Sequence, residues 1–272
     1  VEEQIKAITE DGLDSSRFIL CTDDSHSETL VNHGHMNRVV KVAIESGLEP
    51  MKAFQMATIN TATHFGVTKD VGLIAPGRFA DILILDELES FGIVSVISKG
   101  KVLIEDGDNQ FESKPYPYPD WATNSIKITK AFTSEDFKIE AEEDGLKIAN
   151  VIGVIENQAP TKALKLNVEV KDDEIFCDLE RDIIKIALTD RHSGKEGVTV
   201  GLVKGFGFNK PCGIATTVAH DCHQMLVLGT SEADMAAAAN ELSRYGGGQV
   251  VFIDGTMEGQ VQLPIAGLMS DK

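Results

Sequence analysis

A short apolar run that ends abruptly in two acids is the feature that most constrains the fold of this 272-residue chain. Residues 18–22 read Phe-Ile-Leu-Cys-Thr, and Asp23 and Asp24 follow at once. Such a continuous run is typical of a parallel strand buried on both faces. In a (β/α)8 barrel, the residues after such strands lie at the catalytic mouth. The pattern therefore predicts an α/β fold with Asp23 at a functional edge, although paired acids also occur in ordinary loops and helix caps.

Helical periodicity surrounds this predicted strand. Residues 1–16 predict the end of a helix that Asp11 and Gly12 close. After the acidic turn, apolar spacing predicts one helix that stops at Gly47 and a second that begins near Pro50 and reaches Ala62. Strand, polar turn and helix in this order form a βα unit.

Farther along the chain, the pattern changes from helix to strand. A Pro-Gly turn leads into a predicted strand at 80–85 and a hairpin at 94–104. Residues 114–119 alternate proline with lysine and tyrosine, cannot continue a helix or central strand, and predict a linker. Beyond the linker, a mixed α+β or α/β pattern predicts strands at 148–155, 166–170, 183–188, 198–203 and 249–253 and a helix at 234–242.

The composition excludes several classes of partner. The formal net charge of −18 at pH 7 argues against nucleic acid, because phosphate binding needs clustered Lys and Arg. No apolar run approaches the roughly 20 residues of a membrane helix, so we expect no membrane partner. The four cysteines are scattered without a Cys-x-x-Cys pair, which predicts neither disulfides nor a zinc ribbon and favours a cytoplasmic location.

Asp23 is the first candidate for chemistry. A carboxylate at a strand end can ligate a divalent metal and accept a proton from metal-bound water. His26, His33 and His35 add imidazoles nearby, although exposed loop histidines are usually not ligands. In the second half, residues 220–223 read His-Asp-Cys-His, which suits either a metal site or a hydrogen-bonded turn before a buried run.

Eight short motifs, spread over both halves, occur together in one known family. In the first half they are Cys-Thr-Asp-Asp-Ser-His at 21–26, Gly-His-Met at 34–36, Gln-Met-Ala-Thr-Ile-Asn at 55–60 and Gly-Leu-Ile-Ala-Pro-Gly-Arg-Phe-Ala-Asp at 72–81. In the second half they are Asp-Arg-His at 190–192, Gly-Leu-Val-Lys-Gly-Phe-Gly at 201–207, Ala-His-Asp-Cys-His at 219–223 and Leu-Pro-Ile-Ala-Gly-Leu-Met-Ser at 263–270. Their combination resembles the bacterial adenine deaminases of the amidohydrolase superfamily, over nearly the whole chain.

The resemblance implies an α/β fold in three parts. Residues 1–75 would be the C-terminal part of a (β/α)8 metallo-dependent hydrolase barrel. Residues 76–123 would be β-sandwich return strands and a linker, and residues 124–272 the mixed α/β C-terminal domain of adenine deaminases. The family also makes a homo-oligomer plausible.

The same resemblance implies metal-assisted hydrolysis of adenine to hypoxanthine and ammonia. The site would be binuclear and hold a divalent metal, with manganese preferred and iron or zinc as alternatives. Asp23 matches the aspartate that ligates metal and takes the proton of the attacking water. Asp24 and His26 match neighbouring residues that shape the substrate pocket. We place His220 and His223 over the bound base as further substrate-binding residues.

The chain also departs from the family pattern. Ser27 stands where the family usually has proline, which puts the turn geometry in doubt. No His-x-His precedes Asp23, and the pattern at His33 and His35 comes after the strand rather than before it. We therefore expect a truncated chain with an incomplete site that needs an N-terminal barrel half. Two alternatives stay open: a non-catalytic fragment or half of a split enzyme, and an amidohydrolase acting on another aminopurine or cyclic amidine.

Two other enzyme classes fit the sequence poorly. A cytidine-deaminase-type zinc site needs His-x-Glu followed by Pro-Cys-x-x-Cys. His26-Ser27-Glu28 has the first part, but Pro211-Cys212 lacks the second cysteine. A dinucleotide-binding loop at 205–207 would need a third glycine, where Lys210 stands, so a tight turn explains it better.

Overall fold

The chain forms two units in sequence, Val1–Pro115 and Tyr116–Lys272. They are seen in a computed structural model that describes residues 1–112, 114–156 and 158–270. The division falls inside the proline–tyrosine segment at 114–119. In the described part of the chain, no helix has the length and apolarity to cross a membrane.

Helices make up the first half of the first unit. They are α1 (Glu2–Thr9), α2 (Ser27–Asn32), α3 (Met36–Glu45), α4 (Pro50–Ala57) and α5 (Ile59–His64). The stop at Gly47 is confirmed, with φ at 92°. The helix predicted from Pro50 to Ala62 is instead two helices, because Thr58 leaves helical geometry at φ −128° and ψ −89°.

The apolar stripes of these helices meet in one core. Val40 and Ala43 of α3 face Ala53 and Met56 of α4, as the helical spacing predicts. Met56 is 1% exposed, and α1 adds Ile5 and Ile8 to the same core. The helices therefore pack on one another through side chains three and four positions apart.

Residues 18–22, predicted as a buried parallel strand, do not form a strand in the described structure. The segment is held by single contacts instead. The N–H of Leu20 donates to the Met56 carbonyl at 3.2 Å, and the Asn60 amide donates to the Phe18 carbonyl at 3.0 Å. A parallel strand exists only through its ladder, and no described strand lies beside this segment to provide one.

A four-stranded antiparallel sheet completes the first unit. Its strands, in sheet order, are β1 (Ile82–Leu85), β2 (Ile93–Ser98), β3 (Lys101–Glu105) and β4 (Asp108–Asn109). The predicted hairpin between β2 and β3 is confirmed, with Lys99 and Gly100 both at positive φ in a two-residue turn. The Asp81 carboxylate accepts hydrogen bonds from the Lys99 N–H at 2.7 Å and the Ser98 hydroxyl at 3.0 Å, which lower its pKa.

The second unit is built on a nine-stranded sheet. The strands are β5 (Gly145–Gly153), β6 (Lys162–Lys171), β7 (Glu174–Ile175), β8 (Ile183–Thr189), β9 (Val198–Lys204), β10 (Cys212–Thr216), β11 (Met225–Gly229), β12 (Gly248–Ile253) and β13 (Thr256–Gln262). Their order is β13-β12-β10-β11-β8-β9-β5-β6-β7. β5 and β9 pair in parallel, and the other neighbours pair antiparallel. The mixed content predicted here is confirmed, whereas the sequence analysis did not predict β7, β10, β11 and β13 as strands.

Two helices belong to this unit, α6 (Asp120–Thr123) and α7 (Glu232–Tyr245). The predicted alanine-rich helix is α7, which begins at the Ser231 cap and ends at Gly246 with φ 75°. Its small residues let it lie close to the sheet. A Cβ on Gly213 of β10 would come within 2.3 Å of the α7 main chain, so only glycine fits there.

A buried lysine joins three elements of the second unit. Lys185 of β8 is 0% exposed, and its ammonium lies 3.0 Å from Glu174 of β7 and 2.6 Å from Glu232 of α7. Two carboxylates around one desolvated cation compensate its charge. The network therefore ties the sheet edge and the helix to the central strand.

Candidate functional site

Asp23 lies at the end of the extended segment 18–22 in the first unit. Its side chain is exposed, and its backbone is left-handed with φ at 55°. One carboxylate oxygen accepts the N–H of Asp24 at 2.8 Å, which fixes the side chain against its own turn. The carboxylate is therefore accessible to a solvent molecule, a cation or a substrate.

Asp24 and His26 share this turn. Both are exposed, and His26 immediately precedes α2, where its carbonyl accepts the Leu30 N–H at 3.0 Å. The turn thus presents three polar side chains within four residues, at the start of a helix.

His35 reaches the same segment from the start of α3. Its ring Nε2 lies 3.2 Å from the Thr22 hydroxyl, and its N–H donates to the Asn37 side chain at 2.8 Å. The sequence analysis noted this imidazole but left it outside the predicted site. The position of His35 follows from its contact with Thr22, 13 residues earlier in the chain. Helical spacing alone does not predict such a contact.

Two buried polar atoms of the first unit have no partner in the described residues. Ser25 Oγ and Arg38 Nε are buried and make no hydrogen bond there. A buried hydroxyl or guanidinium nitrogen without a partner costs about 1–3 kcal/mol, so such atoms point to a missing neighbour. One of these two atoms, Ser25 Oγ, lies two residues after Asp23 in the sequence.

The described residues offer no group of three or more His, Cys, Asp or Glu side chains that could hold a metal ion. Asp23 has the chemistry of a single hard oxygen ligand, which suits a divalent cation. One carboxylate does not make a metal site. A metal at Asp23 would need further ligands beyond the described set.

His220 and His223 belong to the second unit, in the turn between β10 and β11. Both side chains are exposed. The N–H of His223 donates to the Ala219 carbonyl at 2.8 Å, and His223 is left-handed with φ at 53°. This turn is closely tied to the segment after β8, because the His192 ring Nε2 lies 2.6 Å from the His223 carbonyl.

The segment after β8 carries one strongly shifted carboxyl. Asp190 accepts hydrogen bonds from the Ser193 hydroxyl and from the N–H groups of Ser193 and His192, at 3.0 and 2.7 Å. These donors lower its pKa to about 2. Asp190 therefore stays ionised and holds the turn that places Arg191 and His192.

Family comparison extends over both units. A family model described as "Adenine deaminase C-terminal domain" matches residues 158–272, and one described as "Amidohydrolase family" matches residues 1–103. The "Adenine deaminase" of Mesorhizobium japonicum is 48% identical over 273 residues, covering 100% of this chain and 45% of that protein. The "Adenine deaminase" of Moorella thermoacetica is 42% identical, again over 100% of this chain. The chain is therefore similar to adenine deaminases over its whole length.

This similarity confirms the resemblance drawn from the eight motifs, and it agrees with the mixture of helices and sheets. The chain spans about half the length of the curated relatives it matches, 45% of the M. japonicum protein. A crystal structure of a β-aspartyl dipeptidase from Fervidobacterium islandicum AW-1 is 31% identical over 42% of this chain and 29% of that chain. Its TM-score is 0.33, too low to bear on the fold.

Proposed function

We propose that the protein containing this chain hydrolyses adenine to hypoxanthine and ammonia. The observation that carries the proposal is similarity to adenine deaminases over 100% of the chain, in both the amidohydrolase part and the C-terminal domain. An amidohydrolase part alone would suit many substrates. The C-terminal domain favours adenine over other aminopurines or cyclic amidines.

Asp23 is the residue to which we assign proton transfer. A divalent metal, manganese first and iron or zinc as alternatives, supplies a water of low pKa when bound. Asp23 would be one ligand of that metal, and its carboxylate would accept the proton of the attacking water. The water oxygen bonds to the ring carbon that bears the amine, and the carbon–nitrogen bond breaks. Asp23 returns the proton to the departing nitrogen, which leaves as ammonia.

Asp24, His26, His220 and His223 are the proposed substrate contacts. The first two flank Asp23 in one turn, where polar side chains can hydrogen-bond a purine edge. The other two are exposed on a turn fixed by its own hydrogen bonds. A preorganised turn loses little entropy when a ligand binds.

The unpartnered atoms of the first unit and the single carboxylate at Asp23 support an assembled site larger than this chain. Ser25 Oγ and Arg38 Nε lack partners in the described residues, and a lone carboxylate cannot hold a binuclear metal site. We place the other ligands in an N-terminal barrel half. The same observation favours the second candidate, in which this chain alone is a non-catalytic fragment or half of a split enzyme.

Architecture, assembly and location follow the same proposal. Residues 1–75 are the C-terminal part of a (β/α)8 barrel, residues 76–123 are β-sandwich return strands and a linker, and residues 124–272 are the additional α/β domain. The full protein is a homo-oligomer of the cytoplasm. The extended segment 18–22 becomes a strand once neighbouring barrel strands supply its ladder.

The deciding experiment compares adenine deamination by the full-length protein, this chain alone and Asp23→Asn in the full-length protein. With manganese present, we expect hypoxanthine and ammonia in equal amounts from the full-length protein and none from the isolated chain. Asp23→Asn lowers kcat by about 10³-fold, because it removes the proton acceptor and a ligand.

Asp70→Asn is the matched control, since Asp70 is an exposed aspartate of the same unit outside the proposed site. It leaves kcat unchanged. A full-length protein that releases no ammonia from adenine overturns the proposed substrate. Full activity of Asp23→Asn overturns the role of Asp23.

A further inference from the structure

A buried arginine connects the segments of the second unit that carry the family resemblance. Arg191 is 1% exposed, and its Nε donates to the His223 carbonyl at 2.9 Å. Its Nη1 donates to the Ala266 carbonyl at 3.0 Å, in the segment after β13. One guanidinium thereby holds two turns that lie 43 residues apart in sequence (266 − 223).

Both of its acceptors lie in unusual backbone conformations. His223 has φ 53° and Ala266 has φ 56°, in the left-handed region that non-glycine residues rarely adopt. Such conformations persist where the surroundings over-determine them. Each of these two residues gives its carbonyl to Arg191, so the guanidinium is part of what fixes both turns.

The turn at 265–269 is shaped around the guanidinium. A Cβ on Gly267 would lie 2.8 Å from Arg191 Nη1, so a side chain there would displace it. The Gly267 carbonyl accepts the Thr217 hydroxyl at 2.6 Å, and the Ala266 N–H donates to the Ala122 carbonyl at 2.6 Å. Neighbours on both sides thus hold this turn against Arg191.

Arg191 has no counter-charge in its surroundings. Within the described residues, no carboxylate lies within ion-pair distance of it, and its hydrogen-bond partners are neutral. Burial lowers the pKa of its guanidinium. Burying a cation that donates only to carbonyls has a high desolvation cost. An uncharged donor would join the two turns at a lower desolvation cost. The planar guanidinium reaches two acceptors in a fixed geometry, which a smaller group does not.

We propose that Arg191 is the positioning residue of a substrate-binding rim formed by residues 219–223 and 265–269. It acts through the two main-chain carbonyls and holds the turn that presents His220 and His223 to adenine. This inference rests on the proposed function, and specifically on the substrate-binding role of that turn. Arg191 itself makes no contact with the base.

The test is steady-state kinetics on the full-length, metal-loaded protein with Arg191→Lys. Lysine keeps the positive charge but has one nitrogen in place of the Nε and Nη1 pair, so it does not reproduce the two separate hydrogen bonds of the planar guanidinium. We expect KM for adenine to rise about 5- to 10-fold while kcat per folded enzyme changes less than about twofold, which corresponds to roughly 1 kcal/mol of lost ground-state binding. The matched control is Arg181→Lys, since Arg181 also donates to a carbonyl, that of Asn167 at 2.7 Å, but on the exposed surface. It leaves KM unchanged.

A double-mutant cycle with His220→Ala separates positioning from plain structural support. If Arg191 acts through the turn, Arg191→Lys raises KM in the wild-type background but adds little to His220→Ala. Additive effects on KM, or a loss of thermal stability with unchanged KM, overturn the proposal.

Gly267→Ala provides a second route if Arg191→Lys does not fold. Its methyl group would push Nη1 away while leaving the arginine in place, and we expect the same rise in KM. An unchanged KM in this variant also overturns the positioning role. A wild-type protein that does not deaminate adenine overturns the proposed function itself, whereas an active wild type with unaffected variants overturns only the role of Arg191.

Discussion

The two units differ in how many large side chains they bury and in how completely their segments are paired as strands. Eleven of the twelve largest fully buried side chains described belong to the second unit, and only Met56 belongs to the first. Both units leave large apolar side chains more than half exposed, such as Phe65 and Ile74 in the first and Trp121 and Leu146 in the second. The segment 18–22, which precedes Asp23, has no ladder in the described structure, whereas every long strand of the second unit is paired.

This difference in packing fits the separate roles that we propose for the two units. The second unit has a closed core around α7, so its turns can be held rigidly by groups such as Arg191. The first unit carries Asp23 on a segment with single contacts. We therefore expect the second unit to fold independently and the first to depend on further contacts.

The largest expected effect comes from the buried cation of the second unit. Lys185→Ala leaves Glu174 and Glu232 without the ammonium between them, and we expect the free energy of unfolding of that unit to fall by about 3 kcal/mol. Hydrogen exchange of the β8 and α7 amides in denaturant measures it. Lys138→Ala is the control, because Lys138 contacts Glu174 at 3.7 Å from the surface; its loss changes the free energy of unfolding by less than about 1 kcal/mol. Equal losses in the free energy of unfolding for Lys185→Ala and Lys138→Ala would contradict the conclusion that burial makes the Lys185 network more important.

Matched truncations in the two cores sharpen the comparison. Met235 and Met56 are 0% and 1% exposed. Met235→Ala creates a cavity under α7, and we expect exchange protection of the second unit to fall by about 2–3 kcal/mol. Met56→Ala affects only amides of the first unit, because the second unit does not depend on it for folding. Loss of second-unit protection in Met56→Ala would show that the two units unfold together.

The smallest expected effect is the pH dependence contributed by Asp190. Hydrogen bonds in the folded state lower its pKa from 3.8 to about 2. A lowered folded-state pKa gives stability that is fully present above the unfolded pKa near 4 and is lost as the pH falls through about 2. Asp190→Asn should therefore lower the Tm by a constant amount above pH 5, and the gap to wild type should narrow between pH 4 and 2. A gap that widens in acid would reverse the sign of this argument.

Local patterns were sufficient to predict much of the fold. The helix around Val39, the alanine-rich α7 and the β2–β3 hairpin are confirmed, because spacing, caps and turn residues act over a few positions. β13 was missed since its seven residues are all exposed and mostly polar, which leaves no buried face to show in the sequence. The strand expected at 18–22 fails for the opposite reason. Its composition is right, but strand pairing depends on a neighbour that the segment does not itself encode.

The residues of the candidate site divide in the same way, into those that local patterns predict and those that depend on packing. Asp23 could be singled out from the end of an apolar run, and residues 220–223 from their composition. The hydrogen bond between His35 and Thr22 and the bonds from Arg191 to His223 and Ala266 connect distant positions. These contacts depend on how the elements pack, and no periodicity in the sequence reports them.

The parallel pairing of β5 with β9 bears on the order of folding. β5–β6 and β8–β9 are antiparallel pairs that close over short stretches of chain, whereas Val151 meets Leu202 only after the intervening 50 residues (201 − 152 + 1) are in place. Distant pairings form late, because loop closure costs entropy before the contacts repay it. We expect the pairing of β5 with β9 to be the slow step in the folding of the second unit. Substitutions along it should alter the refolding rate more than those within either hairpin.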